Sequence, residues 1–524
     1  MDKVGLAHRL RRRALFCLLL CLALLSLSAC DDSTPAGVIV VDEPTGGRPV
    51  EPVDEVVLAY QKAASLNPLD TPSSYNMDLC WLVYDPLVEL GEGMEPLPGL
   101  AQEWRISGAF VTLVLRDDVY FHNGRRLTAE DVAYTLQTVL QQGGNYAARL
   151  REVVDIQQLD TRTVRLELQQ ENRLFPALLN IPVLPLPQAG EVFEPVGTGK
   201  YIFYAAQERL VANADWVGGQ IALKQIRLLD TPDAASAAFA LTSGQITLLN
   251  AAAEGAAAGS IRHATNSLVY LGVNPACEAL STPELRQAAS AALTRTTLLD
   301  DNIARGGYAA PSPIHFEWYL YASASVARST DLAFTQLKLE QAGYTEFDDQ
   351  GVRVHVPESG RSSRLSLRLL CNASNGERLG LAASIANQLR DCGYEVTVVE
   401  AVSADYFAQL QRGDFDLYLG EVRLTPNMDL SALVGSGGAL NYGGFSATAV
   451  DYALQNLRTA QGEAQAQSAA RLIAALDSEM PLIPLHFRQG ELQLDERLLG
   501  SLRPTANSPY AGIESVRTAT SDAG

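Results

Sequence analysis

The chain has 524 residues, a formal net charge of −20 at pH 7, and 47% hydrophobic residues. A chain of this length is too large for one hydrophobic core, so at least two domains are expected. The acidic balance, without a basic stripe, an RNA-binding aromatic pattern or zinc-finger spacing, argues against nucleic acid as a partner.

Residues 1–29 have the pattern of a lipoprotein signal peptide. Five positive charges precede an apolar run from Ala14 to Leu27, and Ser28-Ala29-Cys30 follows. Small residues before a cysteine suit a lipoprotein signal peptidase, so we expect lipidation of Cys30. The alternative is that Cys30 is one more apolar residue of this run. Without residues 1–29, which carry five positive charges and one negative charge, the formal charge is −24.

The segment 30–54 is rich in proline, glycine and acidic residues, which is typical of a flexible tether. A short strand over Val38–Val41 is the alternative for part of it. The first strand of the folded part is predicted at Glu55–Tyr60, because this apolar run precedes a turn-rich stretch.

A strand, a turn and a helix are predicted between Phe110 and Leu140. Apolar and polar residues alternate over 110–115, and turn residues follow at 117–124. Thr128 can cap a helix that carries Glu130 and Asp131 in its first turn and an apolar face beyond them.

This segment resembles the family 5 extracellular solute-binding proteins, which are receptors of peptide and nickel ABC transporters. The matching residues are Gly99, Leu100, Ala101, Trp104, Leu115, Val119, Phe121, His122, Gly124, Thr128, Ala129, Glu130, Asp131 and Val132. Further matches run from residue 55 to about residue 490, including Tyr84-Asp85-Pro86-Leu87 and Tyr270-Leu271-Gly272-Val273-Asn274.

The resemblance implies an α/β, two-lobed periplasmic-binding-protein-like fold (type II, cluster C) with an extra subdomain inserted in the first lobe. Strands and helices that alternate between residues 364 and 419 agree with a mixed α/β second lobe. The expected divisions are a signal peptide (1–29), a tether (30–54), a base of the first lobe (55–75, 191–267 and 486–524), an insertion (76–190) and a second lobe (268–485).

Enzymatic motifs are missing from the sequence. None of the six histidines is followed by glutamate, and no serine has glycines two positions before and after it. The cysteines after Cys30 have irregular spacing without C-x-x-C, so a metal site is not expected. We therefore expect no enzyme activity and no cofactor. Cys371 and Cys392 are interpreted as buried free thiols, with a bridge between them as the alternative.

Three stretches are candidates for ligand contact. The first holds Ser73, Ser74 and Tyr75 in a polar loop, which in the resembling family faces the ligand. The second holds Trp318 and Tyr319, and the third holds Glu421, Arg423, Leu424 and Asn427; Asn274 and Tyr442 are further candidates. The competing interpretation places Tyr75 and Trp318 in the core and pairs Arg423 with Glu421 or Asp429 on the surface.

The third stretch departs from the family's peptide binders. Those proteins carry a tryptophan and, a few residues later, an aspartate that neutralises the amino terminus of the peptide; here the positions hold Glu421 and Leu424. An apolar side chain cannot pair with an ammonium group, whose desolvation would cost several kcal/mol. A peptide is therefore not expected to be held by its amino terminus at Leu424. If Arg423 turns inward, it would favour a carboxylate or another anion through a bidentate contact.

The sequence thus predicts a monomeric, membrane-tethered solute receptor outside the cytoplasm, in the periplasm or on the outer face of the cytoplasmic membrane. It would capture a small-molecule or oligopeptide solute between two lobes and deliver it to an ABC permease. The first alternative is a lipid-anchored sensory or scaffolding protein that keeps this fold without a cargo, and the second is an exported hydrolase.

Overall fold

The computed structural model describes residues 53–188, 193–250, 259–321, 330–357, 361–498 and 501–518. The predicted signal peptide, Cys30 and nearly all of the tether lie outside these residues.

Twenty strands lie in the described part of the chain. They are β1 (Val56–Tyr60), β2 (Val88–Leu90), β3 (Pro96–Pro98), β4 (Ala101–Ser107), β5 (Phe110–Leu115), β6 (Val153–Gln158), β7 (Thr163–Leu168), β8 (Tyr201–Tyr204), β9 (Arg209–Ala212), β10 (Gln225–Asp230), β11 (Leu248–Asn250), β12 (Gly259–Val273), β13 (Gly307–Ala309), β14 (Glu346–Phe347), β15 (Arg353–His355), β16 (Ser363–Arg364), β17 (Ser366–Asn372), β18 (Glu395–Ala401), β19 (Leu417–Arg423) and β20 (Leu482–Leu494).

Eleven α-helices accompany them in the same described ranges. They are α1 (Ser74–Val83), α2 (Ala129–Gln142), α3 (Ala234–Thr242), α4 (Pro283–Ala291), α5 (Arg295–Asn302), α6 (Leu332–Gln341), α7 (Gly376–Asp391), α8 (Ser403–Arg412), α9 (Ser431–Val434), α10 (Thr448–Thr459) and α11 (Glu463–Glu479).

One mixed sheet extends through the molecule in the order β18-β17-β19-β12-β20-β11-β1-β10-β9-β8, with β13 beside β20. The pairs β1–β10, β1–β11, β17–β18 and β17–β19 are parallel, and the other pairs are antiparallel. We call the part built on β1 and β8–β11 the first lobe and the part built on β17–β19 the second lobe.

The long strands β12 and β20 join the two lobes. At one end Gly272 of β12 lies opposite Leu482, next to β19 of the second lobe; at the other end Gly259 lies opposite Leu494, next to β11 of the first lobe. Their register shifts between Ala264 and Leu268. Bulges of this kind bend and twist a strand pair locally, so the crossing strands bend between the lobes.

A separate antiparallel sheet, β4-β5-β7-β6, packs against α2 and shares one apolar core with β1 and β8–β11, so we count it as part of the first lobe. Helix α2 begins as predicted, since Thr128 is its N-cap and donates its backbone N–H and its hydroxyl to the carboxylate of Asp131, both at 2.9 Å. Asp131 also accepts hydrogen bonds from Arg125 and from the Leu186 backbone. Four donors therefore hold this buried carboxylate, which fixes the start of the helix.

The apolar cores follow the same division. The largest core unites buried residues from 53 to 248 with C-terminal residues from 492 to 516, including side chains of the separate sheet. Two further cores belong to the second lobe, with residues almost entirely between 268 and 487. Met94 and Leu174 join one of these second-lobe cores. The lobes are therefore in apolar contact, although each has its own core.

Candidate functional site

Four ionisable residues from distant elements of the two lobes act on one another's charge. Helix α1 of the first lobe contributes Asp78, the segment after α2 contributes Tyr146 and Arg149, and β19 of the second lobe contributes Arg423. We call these four residues the interlobe seam.

Asp78 is the carboxylate of the seam and is only 7% exposed. Its Oδ2 accepts a hydrogen bond from Nδ2 of Asn250 at 2.9 Å. Burial raises the pKa of Asp78 to about 7, although the Asn250 hydrogen bond and the charge of Arg423 oppose the rise. Asp78 can therefore be neutral or charged near pH 7, depending on what binds beside it.

Arg423 is the last residue of β19 and lies opposite Ser267 of β12. The next backbone N–H, of Leu424, donates to the Asn266 carbonyl at 2.8 Å, which fixes Arg423 at the bulge of the crossing strands. Its side chain is exposed. It forms no hydrogen bond or ion pair with any other residue that the structure describes, although its charge lowers the pKa of Asp78.

Arg149 lies in a short 3-10 helix, Ala147–Leu150, and Tyr146 is the N-cap of this helix. Arg149 donates through Nη1 to the Asn180 carbonyl, and its Cζ lies 5.1 Å from the centroid of the Tyr146 ring. Burial lowers the pKa of Arg149 to about 10, Tyr146 opposes this, and the positive charge of Arg423 lowers it further. The positive charge of Arg423 therefore acts on Arg149, although the two residues belong to distant elements.

The first predicted stretch is not a loop along its whole length. Ser74, Tyr75 and Asn76 form the first turn of α1, because Oγ of Ser73 accepts the Asn76 N–H at 3.3 Å and caps the helix. The Ser74 side chain is exposed. Tyr75 is 7% exposed and packs in a small core with α3, and the charge of Asp78 contributes to the raised pKa of its phenol, after burial and Asp233. Of this stretch, Tyr75 is the residue that comes near the seam.

Trp318 and Tyr319 lie at a second contact between the lobes. Trp318 is 2% exposed within a second-lobe core, and its Nε1 has no hydrogen-bond partner among the described residues. Tyr319 is 38% exposed and donates its backbone N–H to the Gly93 carbonyl of the first lobe at 2.9 Å. These residues do not join the four residues of the seam, and ligand contact by them stays a prediction.

Glu421 forms ion pairs with two arginines, neither of which is Arg423. Its carboxylate pairs with Arg378 at 2.9 Å and with Arg488 at 2.8 Å. Burial opposes ionisation, but the hydrogen bonds and charges of Arg488 and Arg378 prevail and lower the pKa of Glu421. Glu421 is therefore a fixed anion with satisfied partners, and the competing pairing of Arg423 with Glu421 or Asp429 does not occur in the structure.

The remaining candidates have structural contacts of their own. Leu424 is 7% exposed in a second-lobe core, and Asn427 accepts hydrogen bonds from Thr425 and from the Asp429 backbone. Asn274 donates to two backbone carbonyls, those of residues 413 and 415. Tyr442 lines a cavity of about 10 Å³ with Tyr270 and Tyr418, which is room for about one water molecule. Ligand binding by these residues stays a prediction.

One ion-paired cluster links the lobes directly. Arg458 of α10 pairs with Glu152 at 2.7 Å, next to β6, and with Asp429 of its own lobe at 3.1 Å. The Arg173 backbone N–H donates to the Arg458 carbonyl at 2.6 Å. Burial opposes the charge of Arg458, but the Glu152 hydrogen bond and the charges of Glu152 and Asp429 raise its pKa.

Sequence reasoning missed Asp78, Asn250, Tyr146 and Arg149. A signal existed for Asp78, because this carboxylate directly precedes the apolar run 79–83 of α1 and must face either a partner or a site. Tyr146 and Arg149 come together with Arg423 only through long-range packing, which no local pattern indicates.

The described residues hold no group of three or more histidine, cysteine, aspartate or glutamate side chains that could bind a metal ion. The four cysteines in these ranges, including Cys371 and Cys392, are free. Within the same ranges, no helix has the length and apolar character needed to span a membrane.

Comparison with known proteins agrees with this architecture. A sequence model of bacterial extracellular solute-binding proteins, family 5 Middle, matches residues 95–439. The nickel-binding periplasmic protein of Escherichia coli K12 is 24% identical over 400 residues, covering 70% of this chain and 74% of that protein. The oligopeptide-binding protein AppA of Bacillus subtilis 168 is 23% identical over 402 residues, covering 71% and 73%.

A solved structure shows the same fold. The ABC transporter substrate-binding protein from Sinorhizobium meliloti superposes with a TM-score of 0.71 at 20% sequence identity, covering 87% of this chain and 98% of that one.

Proposed function

Because this chain belongs to the bacterial extracellular solute-binding proteins of family 5, we propose that it captures a peptide-like or related small solute between its two lobes and delivers it to an ABC permease. Its relatives are named for nickel binding and oligopeptide binding, which sets the range of solutes to test first.

The interlobe seam is the observation that carries this proposal. Asp78 and Arg149 belong to elements on one side of it and Arg423 to the other, and the crossing strands bend beside Arg423. A solute that contacts both lobes binds more tightly when they are together, so it shifts the population toward the closed form by that difference in affinity. A permease can then distinguish loaded from empty protein.

Thermal unfolding of the full-length protein in detergent tests solute capture. The ligands are di- to hexapeptides, amino acids and nickel chelates. A solute that binds only the native state stabilises it by about 2.7 kcal/mol at 100 times its dissociation constant. A midpoint that rises with one class of solute identifies the cargo, whereas an unchanged midpoint with every class would contradict solute capture.

We further propose a lipid anchor at Cys30, supported by the Leu-Ser-Ala-Cys sequence at the end of the apolar run. Cys30→Ser should abolish labelling with radioactive palmitate and release the protein from the membrane fraction. Cys21→Ser, in the same apolar run, is the matched control and should remain labelled. Labelling of Cys30→Ser would refute the anchor.

A further inference from the structure

The hairpin of β2 and β3 begins in the first lobe, and its tip, residues 91–95, reaches the second lobe. Leu87, Val88 and Leu100, at the base of the hairpin, belong to the first-lobe core. Met94, at the tip, is only 3% exposed and belongs to a second-lobe core instead. One short hairpin therefore contributes to the cores of both lobes.

The tip also contacts the second lobe through its backbone. The Gly93 carbonyl accepts the backbone N–H of Tyr319 at 2.9 Å. A Cβ added to Gly93 would lie 3.2 Å from the Glu317 carbonyl oxygen and 3.2 Å from Cβ of Tyr319, so the two segments approach each other closely. Residues 317–319 are therefore the part of the second lobe that receives the tip.

Met94 has an unusual backbone conformation. Its φ is +64°, in the left-handed region that glycine favours. The Met94 N–H donates to the Gly91 carbonyl and the Gly91 N–H to the Glu95 carbonyl, both at 2.9 Å, and in three-residue hairpin loops the left-handed position is usually a glycine. Glycines occupy positions 91 and 93, yet a methionine holds the strained position. Such strain persists where another interaction outweighs it, and burial of Met94 in the second lobe is that interaction.

The contact also has a cost. Oε2 of Glu95, in the tip, and Nε1 of Trp318, beside Tyr319, are buried without a hydrogen-bond partner among the described residues. A buried polar atom without a partner is unfavourable, and separation of the packed surfaces would return water to it. The apolar gain at Met94 is therefore partly offset, which suits a contact that opens as well as closes.

We propose that residues 91–95 are a clasp: Met94 docks in the second lobe when the lobes come together and stabilises the closed form independently of the solute. This inference rests on the proposed function, because it specifies how closure is balanced before a solute binds. A solute needs to supply only the part of the closing free energy that the clasp does not supply. The clasp therefore contributes the same factor to the affinity for every solute.

Met94→Gly tests the clasp with little risk to the fold, because glycine readily adopts the left-handed conformation of position 94. Hydrogen exchange of the full-length protein in detergent, read by mass spectrometry, follows the Tyr319 backbone N–H that donates to Gly93. This amide should exchange about thirtyfold faster in Met94→Gly, which corresponds to about 2 kcal/mol of lost apolar burial. Met94→Leu keeps an apolar side chain of similar size, so its Tyr319 amide should exchange as in the parent.

Met480→Gly is the matched control. Met480 also has a positive φ, of +44°, and is also buried, but its core consists of residues between 269 and 485 of the second lobe. This variant should lower the thermal midpoint without changing exchange of the Tyr319 amide. Solutes that bind the parent, tested among di- to hexapeptides, amino acids and nickel chelates, should bind Met94→Gly more weakly by one common factor of at most about thirtyfold.

Unchanged exchange of the Tyr319 amide in Met94→Gly, or equal acceleration in Met94→Gly and Met94→Leu, would overturn the clasp and leave solute capture intact. A loss of affinity that differs between solutes would overturn it as well, because Met94 would then contact the ligand. The expected change in exchange, in a protein that binds no solute of the three classes, would support the clasp and contradict solute capture.

Discussion

Glu152→Gln should weaken the contact between the lobes. The change keeps the shape of the side chain and removes the charge that pairs with Arg458 through two hydrogen bonds of 2.7 and 2.9 Å. The side chains of Arg458 and Glu152 are 8% and 22% exposed. Removing one partner of a buried ion pair costs about 3–5 kcal/mol.

The expected cost here is smaller, at about 2 kcal/mol, because Arg458 keeps Asp429 at 3.1 Å and the new amide can still accept a hydrogen bond. This cost acts on the conformation in which the lobes touch. The ratio of closed to open protein should therefore fall about thirtyfold, since each 1.4 kcal/mol is a factor of ten.

Small-angle X-ray scattering of the ligand-free protein measures this change as an increased radius of gyration. Asp429→Asn is the matched control, because it removes an equal charge from the same arginine but leaves the pair between the lobes in place. An unchanged radius for Glu152→Gln, or an equal increase for both variants, would refute the reasoning.

Three further variants test the buried groups. Burial raises the pKa of Asp78 in the folded state to about 7, which disfavours its charged form. The stability of Asp78→Asn relative to the parent protein should therefore increase as pH rises from about 4 to 8, by up to about 4 kcal/mol. A difference in urea unfolding that does not change with pH would contradict this. Burial lowers the pKa of His486 to about 4, so protonation favours the unfolded state and the protein should lose stability as pH falls from about 6.5 to 4. His486→Gln should flatten that part of the plot of unfolding free energy, measured in urea, against pH. Gly197→Ala should destabilise the protein by several kcal/mol in thermal unfolding, because the added Cβ would lie 2.0 Å from the Val83 carbonyl oxygen. Gly376→Ala is the control and should leave the thermal midpoint unchanged, because nothing lies within 4 Å of its added Cβ.

Local patterns predicted much of the fold. The N-cap at Thr128 and the alternation over 110–115 are signals carried by neighbouring residues, and the structure confirms the helix and the strand that they indicate. The resemblance to a known family supplied the two-lobed architecture, which periodicity alone could not provide.

The site was harder to predict, because its residues come from distant parts of the chain. Ser73 looked like a polar loop residue, but the same hydroxyl chemistry that favours ligand contact also favours helix capping. Glu421 was a candidate because of its charge, yet arginines far away in sequence already neutralise it. Arg423 was identified from a departure from the family pattern, whereas no sequence pattern indicated Arg149.

The return of the chain to the first lobe also affects how the protein must fold. Val53 pairs with Thr518, and Tyr510 and Ile513 help to complete a core most of whose members were synthesised hundreds of residues earlier. Lys200 and Glu514, which are 314 residues apart in sequence, form an ion pair at 2.9 Å. Closing such a long loop is entropically costly and slow. The first lobe therefore begins before the second lobe and is finished after it, so its core stays incomplete until the C-terminal segment has been made and, for an exported chain, has crossed the membrane.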